Sequence, residues 1–186
     1  MASAEFEALY RVNPDPWGYE SSLYERTKYA ATLAACGPGP FAEALELGGS
    51  IGVFTAALAP RCRRLVSIDA AATAVDVARA RLASQPQVEV RLGSIPADIP
   101  SRSFDLVVAS EILYYLEAPD LEATLSTLGD RLRPGARLVA VHWRPAGPER
   151  PFTAEQVHAR LRRADWARLV ACAPTDEYLL DVFERR

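Results

Sequence analysis

The sequence predicts an α/β domain built on a doubly wound sheet with helices on both faces. From Phe41 onward, short apolar runs alternate with stretches of helical periodicity, the signature of successive strand–helix units. One junction, Ala44-Leu45-Glu46-Leu47-Gly48-Gly49-Ser50-Ile51-Gly52-Val53-Phe54-Thr55, reads as a strand, a tight glycine turn and a helix start. A chain of 186 residues, 49% hydrophobic and 24% charged, has material for one ordinary core. A single domain over residues 1–186 is expected, with 1–40 as a helical cap and 41–186 as the core.

Taken in order, Phe6, Leu9 and Tyr10 have helical spacing and predict a short amphipathic helix over residues 2–12. Asn13-Pro14-Asp15-Pro16-Trp17-Gly18 breaks it, because two prolines and a glycine cannot continue a helix. A second helix is expected from about Ser22, where Ser22 and Glu25 have capping-box spacing, to about Ala35. Cys36-Gly37-Pro38-Gly39-Pro40 ends it. The core then runs strand 43–47, helix 51–60, strand 64–69, helix 73–84, strand 88–92 and strand 103–110. The continuous apolar run of the last of these suits a strand buried on both faces. A helix over 120–132, stopped by Arg133-Pro134-Gly135, precedes a fifth strand over 137–142. After a loop rich in proline and glycine over 144–151, a helix is expected over 153–163, capped by Thr153. Strands over 166–173 and 177–184, joined by Pro174-Thr175-Asp176, read as a hairpin whose last strand runs antiparallel.

Composition narrows the function. A net charge of −3 leaves no electrostatic footprint for nucleic acid. Cys36, Cys62 and Cys172 follow no metal or redox spacing and read as reduced thiols. No metal site is expected. The first residues lack the basic and apolar regions of a signal peptide, and no apolar stretch reaches the ~20 residues that span a bilayer. A cytoplasmic protein without a membrane or nucleic-acid partner is expected.

In an open α/β sheet the ligand lies outside the carboxyl ends of the strands, at the switch point. The candidates are therefore Glu46, Gly48, Gly49, Ser50 and Gly52 after the first strand, and Asp69 and Ala70 after the second. Ser94 and Ile95 follow the third, Ser110 and Glu111 the fourth, and His142 the fifth. Asp69 can accept hydrogen bonds from a ribose diol. Dehydrogenases share this geometry, but Gly-Gly-Ser-Ile-Gly does not match G-x-G-x-x-G. Glu46 would repel a pyrophosphate and attract the ammonium of a methionine moiety, which favours S-adenosylmethionine (SAM) as the ligand. Trp17, Tyr19, Tyr24 and Lys28, in the cap, are candidates for a lid over the acceptor, with ordinary helix packing as the competing reading.

The run Glu46-Leu47-Gly48 to Gly52, Asp69, and Phe104-Asp105-Leu106-Val107-Val108-Ala109-Ser110-Glu111-Ile112-Leu113-Tyr114-Tyr115-Leu116 resembles the SAM-dependent class I methyltransferases. Asp15-Pro16-Trp17-Gly18-Tyr19 with Tyr24-Glu25 and Lys28-Tyr29 is similar to the start of the nodulation protein S (NodS-like) family. The resemblance implies a Rossmann-like seven-stranded sheet with the last strand antiparallel and an N-terminal helical lid. It also implies methyl transfer from SAM to a small molecule, with the amine of a deacetylated chitooligosaccharide as the family's precedent. O- or C-methylation and a non-catalytic SAM binder are the alternatives. Gly49 stands where the family commonly has Cys, and Ser94 where an acid often holds the adenine, so the 94–95 backbone or Asp98 is the substitute. An amine must be neutral to attack, so a base helps. His142 ranks first for that role, then Glu111 and Tyr115; His158, among Arg160, Arg162 and Arg163, is expected at the surface.

Overall fold

A computed structural model describes residues 3–145, 147 and 149–186; Ala2 of the first expected helix, and Ala146 and Pro148 of the 144–151 loop, lie outside the described residues. The chain order is α1 (Ser3–Val12), α2 (Leu23–Cys36), β1 (Ala44–Leu47), α3 (Val53–Leu58), β2 (Leu65–Asp69), α4 (Ala72–Arg81), β3 (Val88–Leu92) and β4 (Phe104–Ser110). Then come α5 (Ala118–Arg131), β5 (Leu132–Trp143), α6 (Ala154–Arg163), β6 (Ala167–Cys172) and β7 (Tyr178–Arg185). The seven strands form one sheet in the order β3-β2-β1-β4-β5-β7-β6. β1 to β5 pair in parallel, and β7 lies antiparallel between β5 and β6. This is the expected seven-stranded arrangement with its last strand reversed. Strand order turns back between β1 and β4, so a crevice opens above their carboxyl ends.

Alternation along the buried strands divides the core. Val107 and Ala109 of β4, with Leu138 and Ala140 of β5, pack under Leu121, Leu125 and Leu128 of α5 and Val157 and Leu161 of α6. Leu106 and Val108, with Val139 and Val141, face Phe54 and Leu58 of α3 and Cys36 of α2 on the other side. Cys36 and Cys62 are buried and Cys172 exposed, all as free thiols. Among the described residues no helix is long and apolar enough to cross a membrane.

Three local expectations are corrected. Arg133-Pro134-Gly135 does not precede the fifth strand but lies inside it, because β5 starts at Leu132. The register between β4 and β5 slips there, from Phe104 opposite Leu132 to Leu106 opposite Arg137, so the proline sits at an irregularity where no ladder donor is needed. The helix expected over 51–60 is α-helical only over Val53–Leu58 and tightens to a 3-10 turn at Ala59–Arg61, with Pro60 inside it. At α2, Ser22 caps the Glu25 amide as expected, but the Glu25 carboxylate turns inward to Lys28 and does not complete a capping box. α6 has the full box between Thr153 and Gln156.

Candidate active site

The glycine turn after β1 is shaped by close approaches. Gly48 is left-handed at φ 73°, and a Cβ there would stand 3.1 Å from Ile112. Gly52 is also left-handed, but it faces Ala78 of α4 and Leu82 just past its end, so its role is close helix packing. A Cβ on Gly49 would fall 1.8 Å from the Ser67 hydroxyl of β2. Ser50, a non-glycine residue at φ 49°, is held in that strained conformation from two sides. Its amide donates to the Asp69 carboxylate at 2.8 Å, and its hydroxyl bonds the Tyr10 hydroxyl of α1.

Above the strand ends lies a cavity of about 380 Å³. Its core side is formed by Gly48, Ser50, Asp69, Ala70, Ile95 and Ser110. Asp69 also accepts the Ala71 amide at 2.9 Å, and burial, only partly offset by these amides, holds its carboxyl above the usual range. Gly93 and Ile95 reach the cavity, whereas Ser94 does not; its amide binds the exposed Asp98 carboxylate at 2.7 Å. A small annex of about 30 Å³ shares Tyr19, Gly48, Ser50, Ser110 and Glu111 with the main cavity and is bounded by Glu46 and Gly49. Glu46 accepts from Thr55 Oγ1 at 2.6 Å, and burial pushes its carboxyl up to about 7.

The opposite wall comes from the cap. Phe6 and Tyr10 of α1, Trp17 and Tyr19 of the loop, and Tyr24, Glu25 and Lys28 of α2 all reach the cavity. Trp17 lies 5.6 Å from the Tyr10 ring and 5.7 Å from Tyr19, while Phe6 meets Tyr115 edge-on at 4.9 Å. The Asp15 carboxylate, accepting the Tyr19 and Glu20 amides, shapes the loop that carries them. The cap is tied down by the Glu7 carboxylate, which accepts both the amide and the hydroxyl of Thr73 at the start of α4.

Glu111, just past β4, is where cap and core meet. It is left-handed at φ 57°, an uncommon conformation for a residue with a side chain. Lys28 Nζ donates to Glu111 Oε1 at 2.8 Å and to Glu25 Oε1 at 3.0 Å. Tyr114 Oη and the Trp143 amide donate to Glu111 Oε2. Lys28, the chain's sole lysine, is 2% exposed, so its charge is compensated within the wall. Arg150 stacks over Tyr114 and Trp143 at 4.8 and 5.1 Å and closes the cavity on the β5 side beside Glu149.

The structure thus gathers Trp17, Tyr19, Tyr24, Lys28, Gly48, Ser50, Asp69, Ala70, Ile95, Ser110, Glu111 and Tyr115 around one cavity, with Glu46 and Gly49 at its annex. His142 is a correction. It is fully buried behind Tyr114, its ring 4.9 Å away, and does not line the cavity. Both its nitrogens are engaged, Nε2 with the Leu113 amide and Nδ1 with His158, and burial pulls its pKa well below the usual value. His158, expected at the surface, is 1% exposed, because α6 turns it toward the sheet while Glu155, Gln156, Arg162 and Arg163 face outward. Sequence reasoning missed Phe6, Tyr10, Glu25 and Arg150 as cavity residues. The four-residue spacing of Phe6 and Tyr10 was the only available hint for the first pair.

The described geometry agrees with what the chain is similar to. The family model for nodulation protein S (NodS) matches residues 7–149. Nodulation protein S of Rhizobium tropici is 34% identical over 138 residues, 73% of this chain; the match spans 58% of that relative's length, so the chain covers less than two thirds of it. The crystal structure of the N-methyltransferase NodS from Bradyrhizobium japonicum WM9, solved with S-adenosyl-L-homocysteine, superposes with a TM-score of 0.89 over 98% of both chains at 26% identity. A putative methyltransferase from Pseudomonas syringae is 36% identical with a TM-score of 0.77, covering 88% of this chain and all of that one. With the family model covering most of its length and a class I methyltransferase fold around the cavity, the chain belongs to the nodulation protein S (NodS) family.

Proposed function

We propose that the chain is a SAM-dependent methyltransferase acting on the amine of a small molecule, such as an amino sugar. The residues present fit the donor. Gly48 keeps the cavity floor free of a side chain, and a carboxylate with four lone-pair positions leaves Asp69 acceptor capacity for a ribose hydroxyl beyond its amide bonds. Ala70 and Ile95 offer apolar surface for a base, and Glu46, at the annex, suits the ammonium of the methionine end. When bound, the donor supplies a methyl group carried on a positively charged sulfur. The chain's share is to orient the acceptor and exclude water, which together can supply most of the acceleration.

The observation that carries the amine reading is the Glu111 carboxylate, held rigid in the cavity wall by Lys28, Tyr114 and Trp143. It accepts an N–H of the amine, aims the remaining lone pair across the cavity and draws off the proton as the nitrogen becomes cationic. The wall as a whole is acidic. Glu25, Asp69, Glu111 and Glu149 outnumber Lys28 and Arg150, a balance that favours a basic acceptor over a carboxylate. O-methylation is the second reading, favoured by a shorter likeness: magnesium-protoporphyrin O-methyltransferase of Rhodobacter capsulatus is 34% identical over 47% of this chain.

The test is methyl transfer from SAM to a panel of amino sugars, alkylamines, phenols and carboxylic acids. Transfer to amines is expected, and Glu111→Gln should lower kcat about 100-fold while the SAM Kd stays within about twofold. Transfer to phenols or acids alone would overturn the amine reading. A chain that binds NAD and not SAM would overturn the donor.

A further inference from the structure

The geometry points to a buried relay, Arg162–Asp181–His158–His142, that positions the acceptor-side turn after β4. In it His142 is a hydrogen-bond acceptor and not the base. The inference rests on the reading of Glu111 as an acceptor-site group, because the turn it positions follows that residue.

The chain's two histidines come from different elements, His142 from β5 and His158 from α6; both are buried, and His158 lies against Asp181 of β7. The Leu113 amide donates to His142 Nε2 at 3.2 Å, so Nε2 must present its lone pair. The proton of a neutral imidazole then sits on Nδ1, which donates to His158 Nε2 at 3.0 Å. His158 in turn carries its proton on Nδ1 and donates to Asp181 Oδ2 at 2.8 Å. Arg162 closes the chain with a fork on both Asp181 oxygens, at 2.9 and 3.0 Å. Each assignment forces the next. A second proton on His158 would require acceptor atoms at both His142 nitrogens, which a neutral imidazole does not have.

The end of the relay holds the 3-10 turn Leu113–Tyr115, a single turn following the left-handed Glu111. Tyr114 of that turn donates to Glu111 Oε2, and Tyr115 lines the cavity. Without His142 the buried Leu113 amide would lose its acceptor, and the turn would keep its ties to β5 only at Glu111, before it, through the Val141 carbonyl and the Trp143 amide. The groups around His142 favour its neutral form: Lys28 from α2 and Arg150 from the loop after β5 are both cationic, Tyr114 packs on the ring, and Asp181 acts only through His158. The relay therefore orients the turn and stays outside the cavity, so its members are positioning residues.

With only two histidines, imidazole ¹⁵N labelling yields a spectrum of these two rings alone. In the free protein both should appear as neutral Nδ1–H tautomers, with His142 unchanged between about pH 5.5 and 7.5, where an unperturbed ring titrates. In Asp181→Asn, which offers one oxygen where two are used, the His142 tautomer should change although position 181 does not touch it. kcat should fall about tenfold while the SAM Kd stays within about twofold. Arg162→Gln, at the outer end of the relay, tests the same coupling should Asp181→Asn not fold, and should shift the His158 and His142 signals in the same direction. A His142 that carries its proton on Nε2 or titrates with an ordinary midpoint in the wild type would overturn the relay. So would unchanged tautomers and kcat in a folded variant. The spectra need no methyl transfer, so failure of the amine reading alone would leave them as expected.

Discussion

Three carboxylates around the cavity differ in what surrounds them, and the difference sets their work. Asp69 is anchored by backbone amides, Glu111 by a lysine and a tyrosine, and Glu46 by the Thr55 hydroxyl with burial outweighing it. Because the folded pKa of Glu46, about 7, lies above its ordinary 4.5, protonated Glu46 favours the folded chain. That contribution is complete below about 4.5 and is lost as pH rises through 7. A bound ammonium reverses the preference, because it favours the carboxylate. Donor affinity should therefore tighten about fivefold from pH 6 to 7, and Glu46→Gln should flatten that slope, as calorimetric titration with SAM would reveal. A slope unchanged in Glu46→Gln would place the ammonium elsewhere. Glu46 and Asp69 were readable in the sequence because each stands at the end of an apolar run. Glu25 was not, because its spacing from Ser22 announces a helix cap while its side chain serves the cavity.

At the scale of elements, the turn between β1 and α3 is matched to β2. The Ser67 hydroxyl occupies the space a side chain at position 49 would need, so glycine there has a packing reason. Gly49→Ala should destabilise the fold by about 1–3 kcal/mol through overpacking. Ser67→Ala should recover part of that loss, a non-additivity read from urea unfolding of the two single variants and the double. Additive losses would mean that the two sites do not touch. Elements β1 to β4 were legible because their periodicity is local. The start of β5 was not, since Arg133-Pro134-Gly135 has the chemistry of a loop and only the slipped register with β4 draws it into the sheet.

On the scale of the whole molecule, polar contacts join the cap and core, among them Glu7 with Thr73, Tyr10 with Ser50, Glu20 with Arg81, Lys28 with Glu111, and Arg61 with the carbonyls of Leu33 and Gly37. The Tyr10–Ser50 and Lys28–Glu111 contacts lie in the cavity wall itself, so filling the cavity should stiffen the cap. In hydrogen exchange, SAM with a product-side amine should slow amides of residues 3–36 more than those of α5 and α6, which pack on the far face of the sheet. Equal protection throughout would show that the cap is a fixed part of the core and does not respond to ligand.

What the sequence by itself determined is the set of features written in neighbouring residues: the alternation of strands and helices, the glycine turn, the acid ending β2 and the aromatic cap segment. The reversed hairpin belongs with them, but the insertion of β7 between β5 and β6 does not. Only the tertiary structure decided which groups meet across distance. It withdrew His142 from the cavity and gave it His158 as a partner, paired Lys28 with Glu111, and brought Arg150 over Tyr114. The physical reason is that periodicity reports which face of an element is buried, whereas a buried polar group is defined by its partner, and that partner comes from another element.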